Sequence, residues 1–191
     1  MSKVVLEMTI SLDGIAAGPE VSLEHALGKG GARLHHWVFD GKSEVDVKMI
    51  EDLMKTTGAV ILGRKTFDVG LQYWKDTPFP VSSFVLTHEK RDRQVMKSGV
   101  FNFVNDGIES ALRQARAAAG DKNVVVMGGA DVAQQYVKAG LLDYLHIHMV
   151  PVLMNEGVRL FEHTGAAQIE LETRSMVASP NATHYKFKVV R

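Results

Sequence analysis

Cysteine is absent from the chain. Disulfide bonds, thiolate metal ligands and a thiol nucleophile are therefore excluded. The same absence excludes the zinc-dependent nucleobase deaminases, whose site needs a Pro-Cys-x-x-Cys signature. A chain without cysteine suits the reducing cytosol, so we expect a cytoplasmic protein.

Net charge and long apolar runs are also lacking. Twenty-two basic residues balance 22 acidic residues. Without a field of one sign, we expect neither nucleic acid nor membrane as a partner. No apolar run reaches the roughly 18 residues of a membrane-spanning helix, and the amino terminus enters a strand pattern directly. We therefore expect no membrane span and no signal peptide, and the length predicts one domain over residues 1–191.

Familiar catalytic motifs are missing as well. The sequence contains neither Gly-x-Ser-x-Gly nor His-Glu-x-x-His. His146 and His148 share one face of a predicted strand, but no third ligand is evident, so we expect no metal. This pattern is typical of an enzyme whose reactive group belongs to a small-molecule cofactor.

The most informative stretch begins with four apolar residues, 59–62, which predict a strand buried on both faces. Gly63 then allows backbone to approach a ligand, and Arg64, Lys65 and Thr66 supply two cations and a hydroxyl. A helix starting near Thr66 would add free N–H groups, so the stretch predicts an anion site. The alternative is an ordinary strand followed by a basic turn.

A second strand–glycine–helix segment repeats this pattern. Residues 123–127 are almost wholly apolar, Gly128 and Gly129 turn the chain, and a helix follows over 131–139. Two all-apolar strands need cover on both faces. The sequence therefore predicts an α/β fold with a mixed, mainly parallel sheet, helices on both faces and an antiparallel hairpin formed by strands 168–178 and 182–190.

Local patterns add further expectations. Ser43 begins a capping box, and the helix that follows is predicted to turn four residues toward the core: Val47, Ile50, Leu53 and Met54. Asp106 is predicted to cap a helix that ends at Gly120. We interpret residues 19–42 as a glycine-rich flap.

Three motifs carry a resemblance to a known family. Residues 63–67, Gly-Arg-Lys-Thr-Phe, resemble the Gly-Arg-x-Thr motif of dihydrofolate reductases and their relatives. Residues 125–131 are similar to the strand–Gly-Gly–helix segment of the same superfamily. Residues 11–16, Ser-Leu-Asp-Gly-Ile-Ala, resemble the start of the reductase domain in bacterial riboflavin-biosynthesis deaminase-reductases. The motifs follow the family's order, and the likeness covers nearly the whole chain.

The resemblance implies a dihydrofolate reductase-like three-layer fold, NADPH as the cofactor and a homodimer, for which strand 143–150 offers a pairing or packing surface. Arg64 and the Thr87–His88 turn would meet the 2′-phosphate, which favours NADPH over NADH. The implied cofactor-binding residues are Ile15, Ala16, Gly63, Arg64, Lys65, Thr66, Thr87, His88, Gly128, Gly129, Ala130, Asp131 and Val132.

The substrate half of the resemblance is less complete. Asp13 and Glu24 are the candidate catalytic acids, but the acid motif of dihydrofolate reductases is not matched around Glu24. The arginine-containing segment of riboflavin-type reductases corresponds to residues 49–55, which hold no arginine. Candidate substrate contacts are Ser11, Asp13, Trp37, Phe67 and Trp74, although Trp74 suits plain packing equally well.

Three functions therefore stand open. The first is an NADPH-dependent reductase of the riboflavin branch, acting on a small heterocyclic or imine substrate. The second is a dihydrofolate or other pterin reductase. The third is a non-catalytic NADPH-binding protein.

Overall fold

The computed structural model describes residues 2–40, 43–165 and 167–190. The strands are β1 (Val4–Ser11), β2 (Ile15–Ala17), β3 (Thr57–Gly63), β4 (Ser82–Leu86), β5 (Gln94–Val95), β6 (Val100–Val104), β7 (Asn123–Gly128), β8 (Tyr144–Val150), β9 (Val158–Arg159), β10 (Leu171–Ala178) and β11 (Thr183–Val189). The α-helices are α1 (His36–Phe39), α2 (Glu44–Thr56), α3 (Arg64–Trp74), α4 (Ile108–Ala119) and α5 (Ala130–Lys138), and a 3-10 helix spans Gly31–His35.

Among these residues, nine strands form one sheet in the order β10-β11-β8-β1-β7-β3-β4-β6-β5. The six strands from β8 to β6 in that order run parallel, while β11, β10 and β5 are antiparallel to their neighbours. The two all-apolar strands, β3 and β7, lie side by side at the centre. This confirms the mixed, mainly parallel sheet and the carboxy-terminal hairpin.

Helices cover both faces of the sheet. On one face, Ala115 of α4 and Tyr136 of α5 pack with Ile61 and Val126 in one buried cluster. On the other, Phe67 of α3 packs with neighbouring side chains of β3 and β4, and α2 adds Leu53. Because β3 and β7 alternate side chains between these two clusters, both faces of each strand are buried, as their composition predicts.

Helix α2 begins with the predicted capping box. The Ser43 hydroxyl accepts from the Asp46 N–H at 3.3 Å, and the Ser43 N–H donates to the Asp46 carboxylate at 2.8 Å. The predicted orientation of the helix is wrong in part, because Val47 and Met54 are 41% and 44% exposed.

The face that α2 buries instead starts from a charged residue. Asp46 is wholly buried and its carboxylate accepts a 2.9 Å hydrogen bond from His184. Met49, Ile50 and Leu53 follow at three, four and seven residues, so they lie on the same helical face and contact the core. A polar contact from a distant strand therefore decides the rotation of this amphipathic helix.

The prediction for the start of α4 is also wrong. The residue before the helix is Gly107, with φ +98°, and no side chain caps the first turn. Asp106 lies one residue too early to serve as the cap. The predicted end is confirmed, because Gly120 follows the last helical residue with φ +59°.

The interpretation of residues 19–42 as an irregular flap is wrong for 31–39. These residues form the 3-10 helix and α1, and they pack inward through Leu34 and Trp37, which are 0% and 4% exposed. Gly41 and Lys42 lie outside the described residues. No helix in the described part of the chain is both long and apolar enough to cross a membrane.

Strand β8 does not offer the edge that its length suggested for dimer formation. It pairs with β1 on one side and with β11 on the other. The outermost strand at this end of the sheet is β10, where Leu171 and Met176 are 41% and 64% exposed.

Candidate functional site

Two glycine turns face each other at the carboxyl edge of the central strands. A Cβ atom at Gly63 would lie 3.0 Å from Cγ2 of Val132 and 3.7 Å from the Gly129 nitrogen. A Cβ atom at Gly129 would lie 3.3 Å from the Thr66 hydroxyl. The absence of side chains at these two glycines therefore lets the first turns of α3 and α5 approach each other closely, and we call the space in front of the two glycines the gap.

Both helices present their amino termini to this gap without a side-chain cap. Gly63 and Gly129 are the N-cap residues of α3 and α5, and neither has a side chain that could accept a hydrogen bond from the first turn. In α2, by contrast, the Ser43 side chain fills that role. The first N–H groups of α3 and α5 thus remain available, and two helix dipoles point their positive ends at the same space. Such an arrangement favours an anion.

Arg64 is held at the rim of the gap by two carboxylates. Its Nε lies 2.8 Å from Asp68 and its Nη1 lies 2.9 Å from Glu89. The hydrogen bonds that the guanidinium donates, first to Asp68 and then to Glu89, raise its pKa, and the group is charged at every physiological pH in any case. The neighbouring Lys65 is exposed. The predicted cations are present, but Arg64 already shares its charge with two carboxylates that compete with any incoming anion.

The turn after β4 lies next to this rim. Gly63 pairs in register with Leu86, so the following residues Thr87 and His88 continue along the same edge. The Thr87 hydroxyl accepts from the Glu89 N–H at 3.2 Å, and His88 is exposed. The structure thus brings the Thr87–His88 turn to the same edge as Arg64.

The first turn of α5 contributes mainly backbone. Ala130 and Val132 are buried in the core, and the Val132 side chain packs against Gly63, so neither offers a polar group. Asp131 is exposed, and its carboxylate accepts a 2.7 Å hydrogen bond from Gln135 one turn along the helix. This contact directs the one acidic group of the turn along the helix surface.

The loop after β1 is fixed by Asp13. The Ser11 hydroxyl donates to Asp13 and accepts from the Ile15 N–H at 2.9 Å. Asp13 also accepts from the N–H groups of Met154 and Asn155 at 3.0 and 2.7 Å. The hydrogen bond from Ser11, followed by those from the backbone, lowers the pKa of Asp13 to about 2. Such a carboxylate is ionised at neutral pH, so Asp13 is better suited to holding the loop in place than to donating a proton. We call its hydrogen bonds with Ser11, Met154 and Asn155 the Asp13 clamp.

A family model described as "RibD C-terminal domain" matches residues 2–185. The chain belongs to the RibD C-terminal domain family. Among individual relatives, the uncharacterized protein YwjB of Bacillus subtilis is 24% identical over 185 residues, which cover 96% of this chain and 97% of YwjB.

Solved structures agree on the fold of this RibD C-terminal domain. A putative riboflavin biosynthesis protein from Shewanella sp. PV-4 aligns over 100% of both chains with a TM-score of 0.73 and 21% identity. Dihydrofolate reductase from Enterococcus faecalis, described as complexed with NADP(H), aligns over 99% of this chain and 97% of its own with a TM-score of 0.64 and 14% identity. Both likenesses establish the dihydrofolate reductase-like fold, and the family supports a reductase-like function.

The RibD C-terminal domain places the predicted substrate-side aromatic residues largely inside. Phe67 is 2% exposed and packs edge-on against Phe101 and Phe103, with ring centroids 4.9 and 5.1 Å away. Trp74 folds back over Gly70, where a Cβ atom would lie 2.4 Å from its ring. Phe67 and Trp37 therefore have little exposed surface, and their contact with a substrate stays a prediction.

Glu24 lies on an exposed loop away from the glycine turns. The loop closes on itself through a 2.9 Å hydrogen bond from the Gly18 N–H to the Leu27 carbonyl. The Gln72 amide donates to the Leu23 carbonyl and ties the loop to α3. Gln72 is eight residues beyond Arg64, roughly 12 Å along the helix. Glu24 therefore does not lie beside the gap in front of the two glycine turns.

Sequence reasoning missed the partner of the two strand histidines. The carboxylate of Glu7 on β1 lies between them: its Oε2 is 3.0 Å from Nδ1 of His146, and its Oε1 is hydrogen-bonded to Nε2 of His148. Glu7 is the one charged residue of β1, and that was the available signal. Within the described ranges, no set of three His, Cys, Asp or Glu side chains has a geometry that could hold a metal ion.

Proposed function

We propose that this protein is an NADPH-dependent oxidoreductase of the 5-amino-6-(5-phosphoribosylamino)uracil reductase-like branch, acting by hydride transfer to a small heterocyclic or imine substrate. The observation that carries the proposal is the pair of uncapped helix amino termini facing each other across a gap between two glycines. The fold shared with a dihydrofolate reductase that binds NADP(H) supports the choice of cofactor.

The residues at the gap suit a dinucleotide. A pyrophosphate needs N–H donors and close backbone approach, which the first turns of α3 and α5 provide at Gly63 and Gly129. A 2′-phosphate needs a cation and hydroxyl donors at the rim, which Arg64, Thr87 and His88 provide. Lys65 adds a second exposed cation nearby.

The chain's own part in such a reaction is positioning. When bound, NADPH supplies the hydride. The loop over residues 11–16, held by the Asp13 clamp and by pairing of β2 with β9, gives a fixed wall at the carboxyl end of β1. Ile15 is 1% exposed and Ala16 packs against the core, so this wall presents backbone and small groups to a planar ring.

The runner-up is a non-catalytic NADPH-binding protein. The burial of Phe67 and Trp37, together with the commitment of Asp13 to its clamp, favours this candidate over a dihydrofolate reductase. Glu24 would have to serve as the acid of a dihydrofolate reductase, and it is exposed on the tethered loop. The homodimer and the cytoplasmic location stay predictions, and sedimentation at micromolar concentration tests the first.

Isothermal titration of NADPH into the unaltered protein and into Gly129→Val tests the cofactor site. The valine fills the gap toward Thr66, so we expect at least a tenfold loss of affinity. Ala139→Val, at the opposite end of α5, is the matched control and should bind like the unaltered protein. Equal binding by Gly129→Val, with unchanged circular dichroism, would place the cofactor elsewhere.

Turnover decides between the two candidates. Oxidation of NADPH, followed by absorbance with a ribosylaminopyrimidine substrate, is expected for the reductase. Tight NADPH binding without turnover of any imine or carbonyl compound would favour the binding protein.

A further inference from the structure

A chain of ionisable side chains crosses the core between α2 and the sheet, outside the cofactor gap. Nε2 of His148 is hydrogen-bonded to the Glu7 carboxylate, and Nδ1 of His148 lies 2.7 Å from Nδ1 of His184. Nε2 of His184 lies 2.9 Å from the Asp46 carboxylate. The order Glu7–His148–His184–Asp46 thus links β1, β8, β11 and α2, and both rings are at most 4% exposed.

The three contacts determine how many hydrogens the series Glu7–His148–His184–Asp46 must carry. Each of its three contacts needs one hydrogen between the two heavy atoms. Two ionised carboxylates and two neutral imidazoles supply only two hydrogens, because each neutral ring carries one. One of the three contacts, either the 2.7 Å Nδ1–Nδ1 contact or the contact of a ring with its carboxylate, would then bring two lone pairs together. One additional proton gives each of the three contacts a hydrogen. These four side chains therefore hold one proton more than two ionised carboxylates and two neutral imidazoles would hold.

The surroundings fit one extra proton and resist a second. Burial raises the pKa of Glu7, but the charge of His148 and hydrogen bonds from His146 and His148 hold it at about 2. Burial, and then the charge on His148, lowers the pKa of His184. Asp46 also has a lowered pKa, because hydrogen bonds from Ser43 and from the side chains of Ser179 and His184 outweigh burial. An ionised carboxylate therefore lies at each end of the histidine pair, Glu7 beside His148 and Asp46 beside His184, which favours one extra proton on the pair.

Other groups around the two rings come from every neighbouring element. Trp37 of α1 lies on His148 and His184, with ring centroids 4.3 and 4.9 Å away, and donates to Thr9 of β1. A cleft of about 260 Å³ between α2 and the sheet gives solvent a route to the chain. The further titratable and charged groups that face the chain are His35 of the 3-10 helix, Asp52 of α2, His146 of β8 and Lys186 of β11.

We propose that His148 and His184 share one proton at neutral pH and act as a pH-sensitive clamp, which holds Trp37 and the amino terminus of α2 against the sheet. Removal of the proton at alkaline pH leaves one of the three contacts without a hydrogen, so two lone pairs repel each other there and the clamp opens. The stabilising effect of the shared proton is therefore present while the proton is bound and is lost as pH rises through its release.

Trp37 reports on the clamp directly, because a protonated imidazole quenches indole fluorescence more strongly than a neutral one. In a Trp74→Phe background, Trp37 is the remaining tryptophan. We expect its emission to stay low through neutral pH and to rise at least about twofold in one step whose midpoint lies above the free-imidazole value of about 6.5. His148→Gln in the same background should abolish the step, whereas His25→Gln, on the exposed loop, should leave it unchanged.

Nitrogen NMR of the unaltered protein gives a second reading that does not depend on how the variant folds. At neutral pH we expect three of the four ring nitrogens of His148 and His184 to be protonated. Two protonated nitrogens, or a fluorescence step at or below pH of about 6.5, would overturn the shared proton. A step that persists in folded His148→Gln would overturn the assignment to this pair. Neither measurement needs cofactor or substrate, so failure here is distinct from failure of the reductase proposal.

Discussion

Replacement of Arg64 by alanine should weaken NADPH binding much more than NADH binding. Arg64 stands at the rim of the cofactor gap, beside the Thr87–His88 turn, where it is two-thirds buried at 33% side-chain exposure. A 2′-phosphate carries about −1.5 to −2 charges at neutral pH, whereas NADH has an uncharged hydroxyl at that position. The guanidinium is therefore the group on which discrimination between the two cofactors depends.

The magnitude follows from two opposing terms. A hydrogen bond between charged groups contributes about 1.5–3 kcal/mol. The phosphate competes for Arg64 with Glu89, whose side chain is 71% exposed, and an exposed ion pair of this kind contributes about 0–1 kcal/mol. The difference, about 0.5–3 kcal/mol, corresponds to a loss of roughly 2- to 160-fold in NADPH affinity for Arg64→Ala.

Replacement of Glu89 should have the opposite effect on NADPH affinity. Glu89→Gln removes the competing carboxylate and a negative charge near the phosphate, so NADPH should bind up to about fivefold more tightly. Titration of each cofactor into both variants measures the effect, with Lys122→Ala as a control for loss of an exposed cation at the opposite edge of the sheet. Equal losses of NADPH and NADH affinity in Arg64→Ala would show that Arg64 contacts the shared pyrophosphate. That result would refute its assignment to the 2′-phosphate.

Other predictions concern Asp13, the core and the substrate. Asp13→Asn should destabilise the protein above pH of about 4 and leave it unaffected near pH 2, because a lowered pKa gives stability that is lost as pH falls through it; thermal melting against pH measures this. Phe67→Ala should lower the free energy of unfolding by about 3–5 kcal/mol in urea titration, since the ring is buried against two others, and a loss below about 1 kcal/mol would contradict that packing. Dihydrofolate should be reduced slowly or not at all, and Glu24→Gln should not alter turnover of a ribosylaminopyrimidine; robust dihydrofolate turnover, abolished by Glu24→Gln, would reverse both statements.

The parts of the fold that were predicted correctly rest on short-range patterns. Val60 and Ile61 belong to an apolar run that only a sheet covered on both faces can bury, and they lie in the central strand β3. Ser43 and Asp46 stand at capping-box spacing and form that box. In each case the residues that determine the structure are neighbours in sequence, so the physical cause is visible in the sequence itself.

The errors share a different origin. Periodicity shows that α2 has an apolar face, but Val47 and Met54 are exposed because a contact from His184 to Asp46, 138 residues apart, fixes the rotation of the helix. The burial of Phe67 and Trp37, two candidate substrate contacts, was likewise not visible in the sequence, because it depends on side chains from β6 and β8 that no local window contains. Where long-range packing decides the outcome, local sequence pattern is a weak guide.

The candidate cofactor site could be predicted because it is built mostly from backbone. A glycine after a buried strand, followed by a helix, implies free N–H groups wherever the strand lies, and Gly63 and Gly129 need only end adjacent parallel strands to face each other. The hydrogen-bonded series from Glu7 to Asp46 could not be predicted in this way, because Glu7 and His148 are 141 residues apart and only the sheet register makes them neighbours. The sequence therefore indicates the cofactor more readily than the substrate, whose contacts depend on the same kind of long-range packing that the sequence predictions missed.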